Sequence, residues 1–100
     1  MILIYTTCGS VEEAEKIADV LLDAKLAVCC KMWPTNTRYL WKGKKEVSAE
    51  QFLLIETHED KKSQVEETIK KHHSYESPLI ISFPVSTDLQ TSSWMEKELL

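Results

Sequence analysis

Glycine is almost missing from this 100-residue chain: it has 2, Gly9 and Gly43, far apart in the sequence. A glycine-rich loop whose backbone cradles phosphate is therefore excluded. No Gly-x-Ser-x-Gly elbow is present either, so a serine hydrolase of that design is excluded too. Basic residues are outnumbered, 12 against 16 acidic, leaving a formal charge of −4. A nucleic-acid domain carries a basic footprint, which this chain lacks. No run approaches the roughly 20 apolar residues that span a bilayer, so no membrane partner is expected. The opening Met1-Ile2-Leu3-Ile4-Tyr5 has neither a basic flank nor a small-residue cleavage site and does not read as a signal peptide. Cysteine is scarce and odd in number, 3 in all (Cys8, Cys29, Cys30), without disulfide-framework or Cys-x-x-Cys spacing. Reduced thiols in a cytoplasmic chain are the expectation.

What is present suits a single globular domain over residues 1–100, since 43% of residues are apolar and 28% charged. Ile2 to Thr7 is apolar and β-branched, the composition of a strand buried on both faces. Ser10 and Glu13 form a capping box. Ala14, Ile17, Ala18, Leu21 and Leu22 then recur at helical spacing, which predicts a helix over 11–25. Leu26 to Met32 is β-compatible, Trp33-Pro34-Thr35-Asn36 interrupts it, and Thr37 to Trp41 resumes. Lys42-Gly43-Lys44 is the next turn, and Glu46 to Thr57 completes a long hairpin. A more polar helix is predicted over 60–73, with Val65, Ile69 and His72 on its inner face. Residues 79–85 form a fourth strand, demoted to an edge by Pro84. Ser93 with Glu96 offers a second capping box, opening a short helix over 94–99.

Strand, helix, strand, strand, helix, strand is the split βαβ order of an α+β, ferredoxin-like fold. Right-handed crossovers put the first and third strands in the centre. Pro34 and Pro84 then fall in the two edge strands, where a missing N–H is tolerated. Within this fold class, an acyl-phosphate hydrolase needs an arginine in a phosphate-cradling loop, and the only arginine is Arg38, in mid-hairpin. An RNA-recognition version needs stacking aromatics in a basic frame, where this chain has Ile-Leu-Ile and Phe-Leu-Leu-Ile. Extended, residues 28–41 reach about 45 Å at ~3.3 Å per residue. A compact domain of this size is only about 35 Å across, so the hairpin overhangs or bends at Pro34. Open edges and an overhang are an aggregation hazard that closed self-association covers.

Four groups of residues could carry chemistry. His72 and His73 offer imidazoles suited to copper, zinc or nickel, although no His-x-His or His-x-x-x-His spacing supports a site and helix-dipole capping is the plainer alternative. Cys29 and Cys30 point to opposite faces of a strand, so they cannot clamp one ion together, and one belongs to the core. Cys8, just past the first strand, is the thiol expected to be reachable. Trp33, Tyr39, Trp41, Tyr75 and Trp94 either line a ligand cleft or anchor packing and subunit contacts.

Several phrases together resemble the CutA family of divalent-cation tolerance proteins: Tyr5-Thr6-Thr7, Ala14-Glu15-Lys16, Lys25-Leu26-Ala27-Val28-Cys29, Tyr39-x-Trp41-x-Gly43-Lys44, Glu50, His72-x-x-Tyr75-Glu76-x-Pro78 and Trp94. The resemblance spans the whole chain. It implies a tight homotrimer in which hairpin and sheet edges join between subunits, a role in the response to copper and other divalent cations, and no enzymatic reaction. It implies intersubunit clefts holding Trp41, Glu50, His72 and Tyr75. It also implies copper binding by the double histidine with a thiol from the first strand, whose position here holds Thr6. Lys31 and Glu56 stand where the family often has Asn and Lys. With Lys42-Gly43 as the turn, Lys31 opposes Leu54, whereas a bulge at Pro34 sets it against Glu56 as a compensating charge pair.

The expected function is therefore a homotrimeric, cytoplasmic CutA-like protein binding copper or another divalent cation, without catalysis and without a required cofactor. His72 and His73 are the expected ligands, with Cys29 or Cys8 as thiolate partner and Trp41, Glu50 and Tyr75 in the cleft. The alternative is a regulatory module like the trimeric PII signalling proteins, holding a small metabolite or nucleotide. A purely structural anchoring role is the third reading.

Overall fold

The computed structural model describes all residues 1–100. The apolar opening forms β1 (Ile2–Cys8), whose residues alternate between fully buried and half-buried. Ile2, Ile4, Thr6 and Cys8 face the helices, and Leu3, Tyr5 and Thr7 face the open side of the sheet. Burial on both faces is thus not reached within one chain. Helix α1 (Val11–Asp23) starts where Ser10 Oγ accepts the Glu13 N–H at 3.1 Å. It stops because Lys25 turns left-handed (φ 56), letting the N–H of Leu26 reach the Leu21 carbonyl and that of Lys25 the Leu22 carbonyl.

The hairpin is β2 (Cys29–Trp41) and β3 (Lys44–Thr57). Its loop is two residues long, with positive φ at Lys42 (51) and Gly43 (78), the geometry that matches the twist of the flanking strands. Register runs unbroken from Cys29↔Glu56 to Trp41↔Lys44. The expected interruption and bulge at Pro34 are therefore absent. An edge strand has one neighbour, so a proline nitrogen on its free border has no ladder bond to lose. Lys31 consequently opposes Leu54, yet its Nζ reaches Glu56 Oε2 diagonally at 2.7 Å, so the charge pair forms without the bulge.

A short 3₁₀ turn (Glu59–Lys61) leads into α2 (Lys62–His72), β4 (Ile81–Pro84) and α3 (Leu89–Glu98). The last helix starts earlier than the Ser93 capping box predicted, because Asp88 Oδ1 accepts the Thr91 N–H at 2.9 Å and caps it there. Strand β4 is also shorter than expected, pairing only from Ile2↔Pro84 to Tyr5↔Ile81. Further along β1, the Thr7 carbonyl is engaged by the His73 ring instead.

Sheet order is β2-β3-β1-β4, with β1 and β3 central as topology required. Ile4, Ile17, Leu21, Leu53, Ile55, Val65 and Ile69 are fully buried between the sheet and the first two helices. Pairing of β1 with β3 ends at Cys8↔Gln51, so the hairpin from Thr35↔Glu50 to its loop has no third strand beside it. The molecule measures 45 × 24 × 22 Å, and its long axis reflects this overhang. On the open sheet face Tyr5, Phe52 and Trp33 stack, with centroids 4.7 and 4.6 Å apart.

Candidate functional site

Two neighbouring constellations form where β1 ends and the hairpin begins to protrude. The first is a knot of Cys8, Glu13 and His73, whose ligand-type atoms all lie within 4.8 Å of one another. Glu13 reaches it because α1 starts two residues after Gly9, so its carboxylate turns back over the helix N-terminus. Oε1 accepts the Gly9 N–H at 3.1 Å and Oε2 the Ser74 N–H at 2.9 Å. Burial alone raises a carboxyl's pKa, but these hydrogen bonds from Ser74 and Gly9 outweigh it and hold Glu13 below its usual range.

His73 reaches the knot because α2 stops one residue before it. Its backbone is extended (φ −84, ψ 141), which turns the ring inward rather than along the helix. The Tyr75 N–H donates to Nδ1 at 3.1 Å, so the ring proton sits on Nε2, which donates to the Thr7 carbonyl at 2.8 Å. Glu13 Oε1 lies 3.8 Å from that same Nδ1, a proximity without a shared proton. Cys8 is fully buried, not reachable as the sequence suggested, because it is the last inward position of β1. Burial, then the charges of Glu13 and Glu50, push its thiol up to about 12. On the same strand face, Thr6 Oγ1 is buried without a hydrogen-bond partner.

The second constellation is a cleft of about 450 Å³ between the overhanging hairpin and the loop after α2. Trp41, Glu50 and Tyr75 line it together with Tyr39, Glu76 and Leu79, whereas His72, which the resemblance also placed in a cleft, is not among its walls. Glu50 is nearly buried, 8% exposed, and accepts the Tyr75 hydroxyl on Oε2 at 2.7 Å. Burial and that bond raise the pKa of the phenol. Tyr75 passes over Gly9, where an added Cβ would lie 3.5 Å from its ring. Its ring also packs 4.6 Å from that of His73, so the knot and the cleft share a wall.

A sequence profile of the CutA1 divalent ion tolerance protein matches residues 2–98. The chain belongs to the CutA1 family. It is 38% identical over 87 residues to the divalent-cation tolerance protein CutA of Archaeoglobus fulgidus, covering 87% of this chain and 85% of that one. The Pyrococcus horikoshii protein of the same name is 36% identical, with 85% and 83% covered. Among solved structures, the periplasmic divalent cation tolerance protein CutA of A. fulgidus superposes with a TM-score of 0.94 at 34% identity, covering 100% of both chains. The CutA1 structure from P. horikoshii gives 0.93 at 32% identity, over 98% and 97%.

Of the residues expected to hold a metal, the CutA1 fold brings Cys8 and His73 together and leaves the other two apart. His72 is half-buried on the last turn of α2, and the more deeply buried ring of the pair is that of His73, just beyond the helix end. Cys29 lies near the start of β2, where Lys31 Nζ donates to its sulfur at 3.3 Å. Its neighbour Cys30 packs against the core on the opposite face, as strand alternation required. Glu13 was missed as a site residue because its sequence signal is that of a helix cap, and its second partner, Ser74, is distant in the chain. No helix of the molecule is long and apolar enough to cross a membrane.

Proposed function

We propose that this CutA1 chain is a homotrimeric, cytoplasmic protein of the divalent-cation response, without catalysis, that captures copper or another divalent cation at Cys8, Glu13 and His73. The observation that carries the reading is the convergence of a thiol sulfur, an imidazole nitrogen and a carboxylate oxygen within 4.8 Å. A cation bound at roughly 2.0–2.3 Å from each donor needs such spacing. The donor set fits: His73 Nε2–H already donates to a carbonyl, the outer bond that orients metal-binding histidines. Its Nδ1, which accepts the Tyr75 N–H, would hold the ion after giving up that bond. A thiolate with imidazole favours copper over a hard cation such as magnesium.

Trimer formation is supported by the uncovered overhang and by exposed Trp33, Tyr39, Leu40, Trp41, Val47, Ile81 and Phe83 on the hairpin and the opposite edge. A second copy closing over these residues also walls the Trp41–Glu50–Tyr75 cleft. Three unpaired thiols suit a reducing compartment. The PII-like alternative uses the same cleft for a metabolite. Glu50 and Glu76 line it and no basic residue does, which weighs against a nucleotide phosphate.

Native mass spectrometry of protein purified without added metal, followed by copper titration, tests both parts. The expected result is a threefold chain mass and one tight copper per chain, retained in His72→Ala and lost in Cys8→Ser and His73→Gln. A monomer in dilute solution overturns the trimer; equal copper stoichiometry in all four proteins overturns the site.

A further inference from the structure

Two backbone amides of the segment that follows α2 are held by side-chain atoms of the Cys8 knot. Glu13 Oε2 accepts the Ser74 N–H at 2.9 Å, and His73 Nδ1 accepts the Tyr75 N–H at 3.1 Å. We propose that the loop beginning at Tyr75 is a latch that a captured cation opens. An ion on His73 Nδ1 takes the lone pair that holds the Tyr75 N–H, and the displaced residue lets go of Glu50. The inference rests on the cation site proposed at Cys8, Glu13 and His73, and it assigns what the chain does when that site fills.

The competition follows from the chemistry of the ring. Nε2 donates its proton to the Thr7 carbonyl at 2.8 Å, so Nδ1 carries the only lone pair of the neutral imidazole. An ion about 2.0 Å from Nδ1 falls inside the 3.1 Å gap to the Tyr75 nitrogen, so the amide must move away. Glu13 is different. Its two oxygens offer about four acceptor sites and hold only the Gly9 and Ser74 amides, so it can meet an ion and keep both. Cys8 gives its thiol proton to solvent as it binds. Of the amides tied to the knot, only that of Tyr75 has to leave.

Displacement there is carried to the cleft because Tyr75 is gripped along its whole length. Its ring lies 4.6 Å from that of His73, and an added Cβ on Gly9 would come within 3.5 Å of it. Its hydroxyl donates to Glu50 Oε2 at 2.7 Å, a short bond to a carboxylate only 8% exposed. A backbone that moves off Nδ1 pulls on that bond, which has little slack. All of these contacts lie within one chain, so they do not depend on which faces of the cleft a second copy covers. Coupling between two sites is reciprocal, so weakening the Tyr75–Glu50 bond strengthens capture at the knot.

Nuclear magnetic resonance of the isotope-labelled full chain, with and without an equivalent of copper(I) under anaerobic conditions, tests the latch through hydrogen exchange at single amides. Copper(I) is expected to speed exchange at Tyr75 by at least about tenfold, while Ser74 and the core residue Leu53 keep their rates. This measurement reads the wild-type chain and needs no substitution. Tyr75→Phe keeps the ring and loses the hydroxyl bond, so its copper affinity is expected to rise by about tenfold at unchanged stoichiometry. Unchanged or slower exchange at Tyr75 with copper bound overturns the latch and leaves the cation site standing. Equal acceleration at Ser74 and Leu53 marks a general loosening and overturns it too. Equal or weaker copper binding in Tyr75→Phe removes the release from Glu50, and the proposal with it. A wild-type chain that binds no copper overturns site and latch together.

Discussion

The two ends of the β2–β3 hairpin share strands and register but not environment. Near β1, Leu53 and Ile55 are fully buried under α1 and α2, whereas at the tip Leu40 is 81% exposed and Val47 58%. The strands themselves do not differ in kind; the third layer does. Beyond Cys8↔Gln51 there is no central strand to continue the sheet, and side chains of similar hydrophobicity change from core to surface. The knot and the cleft lie at this boundary, where the covered sheet gives way to the free ribbon.

The sharpest break of that comparison is a pair of truncations. Leu53→Ala should lower the unfolding free energy by about 2–5 kcal/mol in urea denaturation. Leu40→Ala should leave it within about 0.5 kcal/mol, its effect showing instead in the oligomer mass. Equal losses at both ends would mean the tip is as covered as the core. A smaller contrast lies within α1. Glu13→Ala removes two charged hydrogen-bond acceptances, to Gly9 and Ser74, and should cost about 2–4 kcal/mol with faster amide exchange at Ser74. The exposed Glu12→Ala should change stability by under about 0.5 kcal/mol. Similar exchange rates in both variants would remove Glu13 as the fastener of that loop.

A pH experiment sharpens the covered side of the sheet. Burial first, then the neighbouring charges of Cys29 and Glu56, push the Cys30 thiol from 9.0 up to about 12. Below pH 9.0 both folded and unfolded chains hold this proton, and stability from this group is fully present. Between 9.0 and about 12 the unfolded chain ionises first, so stability falls as pH rises, by at most about 1.4 kcal/mol per pH unit. In Cys30→Ala that alkaline limb should flatten; an unchanged slope assigns it elsewhere. The smallest effect belongs to the Lys31–Glu56 pair. Lys31 keeps 54% of its side chain exposed, so a double-mutant cycle should give only about 0.2–1 kcal/mol, shrinking in high salt.

Edge placement of β2 and β4 was readable from Pro34 and Pro84, and the turn from Gly43, because backbone restrictions of proline and glycine act locally. The unbroken register through Pro34 was not, since whether a proline nitrogen faces a neighbour depends on pairing across the sheet. In the site, Trp41, Glu50 and Tyr75 line one cleft within the chain, without the His72 that the family resemblance also placed there. His73 rather than His72 carries the more deeply buried ring because α2 ends between them, a boundary set by hydrogen bonds to Thr7 and Tyr75 that the local sequence does not encode. Glu13 joined the site through Ser74, and such a partner across the fold leaves no periodic trace.

Hydrophobic periodicity, capping residues and turn glycines determined the order and type of elements, because each acts over a few neighbouring residues. They also determined which strands are central, since crossover handedness leaves little choice. Tertiary structure alone decided that a buried thiol, a helix-capping carboxylate and an imidazole would share one knot, and that two carboxylates would stand among three rings. Such juxtapositions depend on where separate elements end in space, and the switch from helical to extended backbone at His73 sets that position for the imidazole.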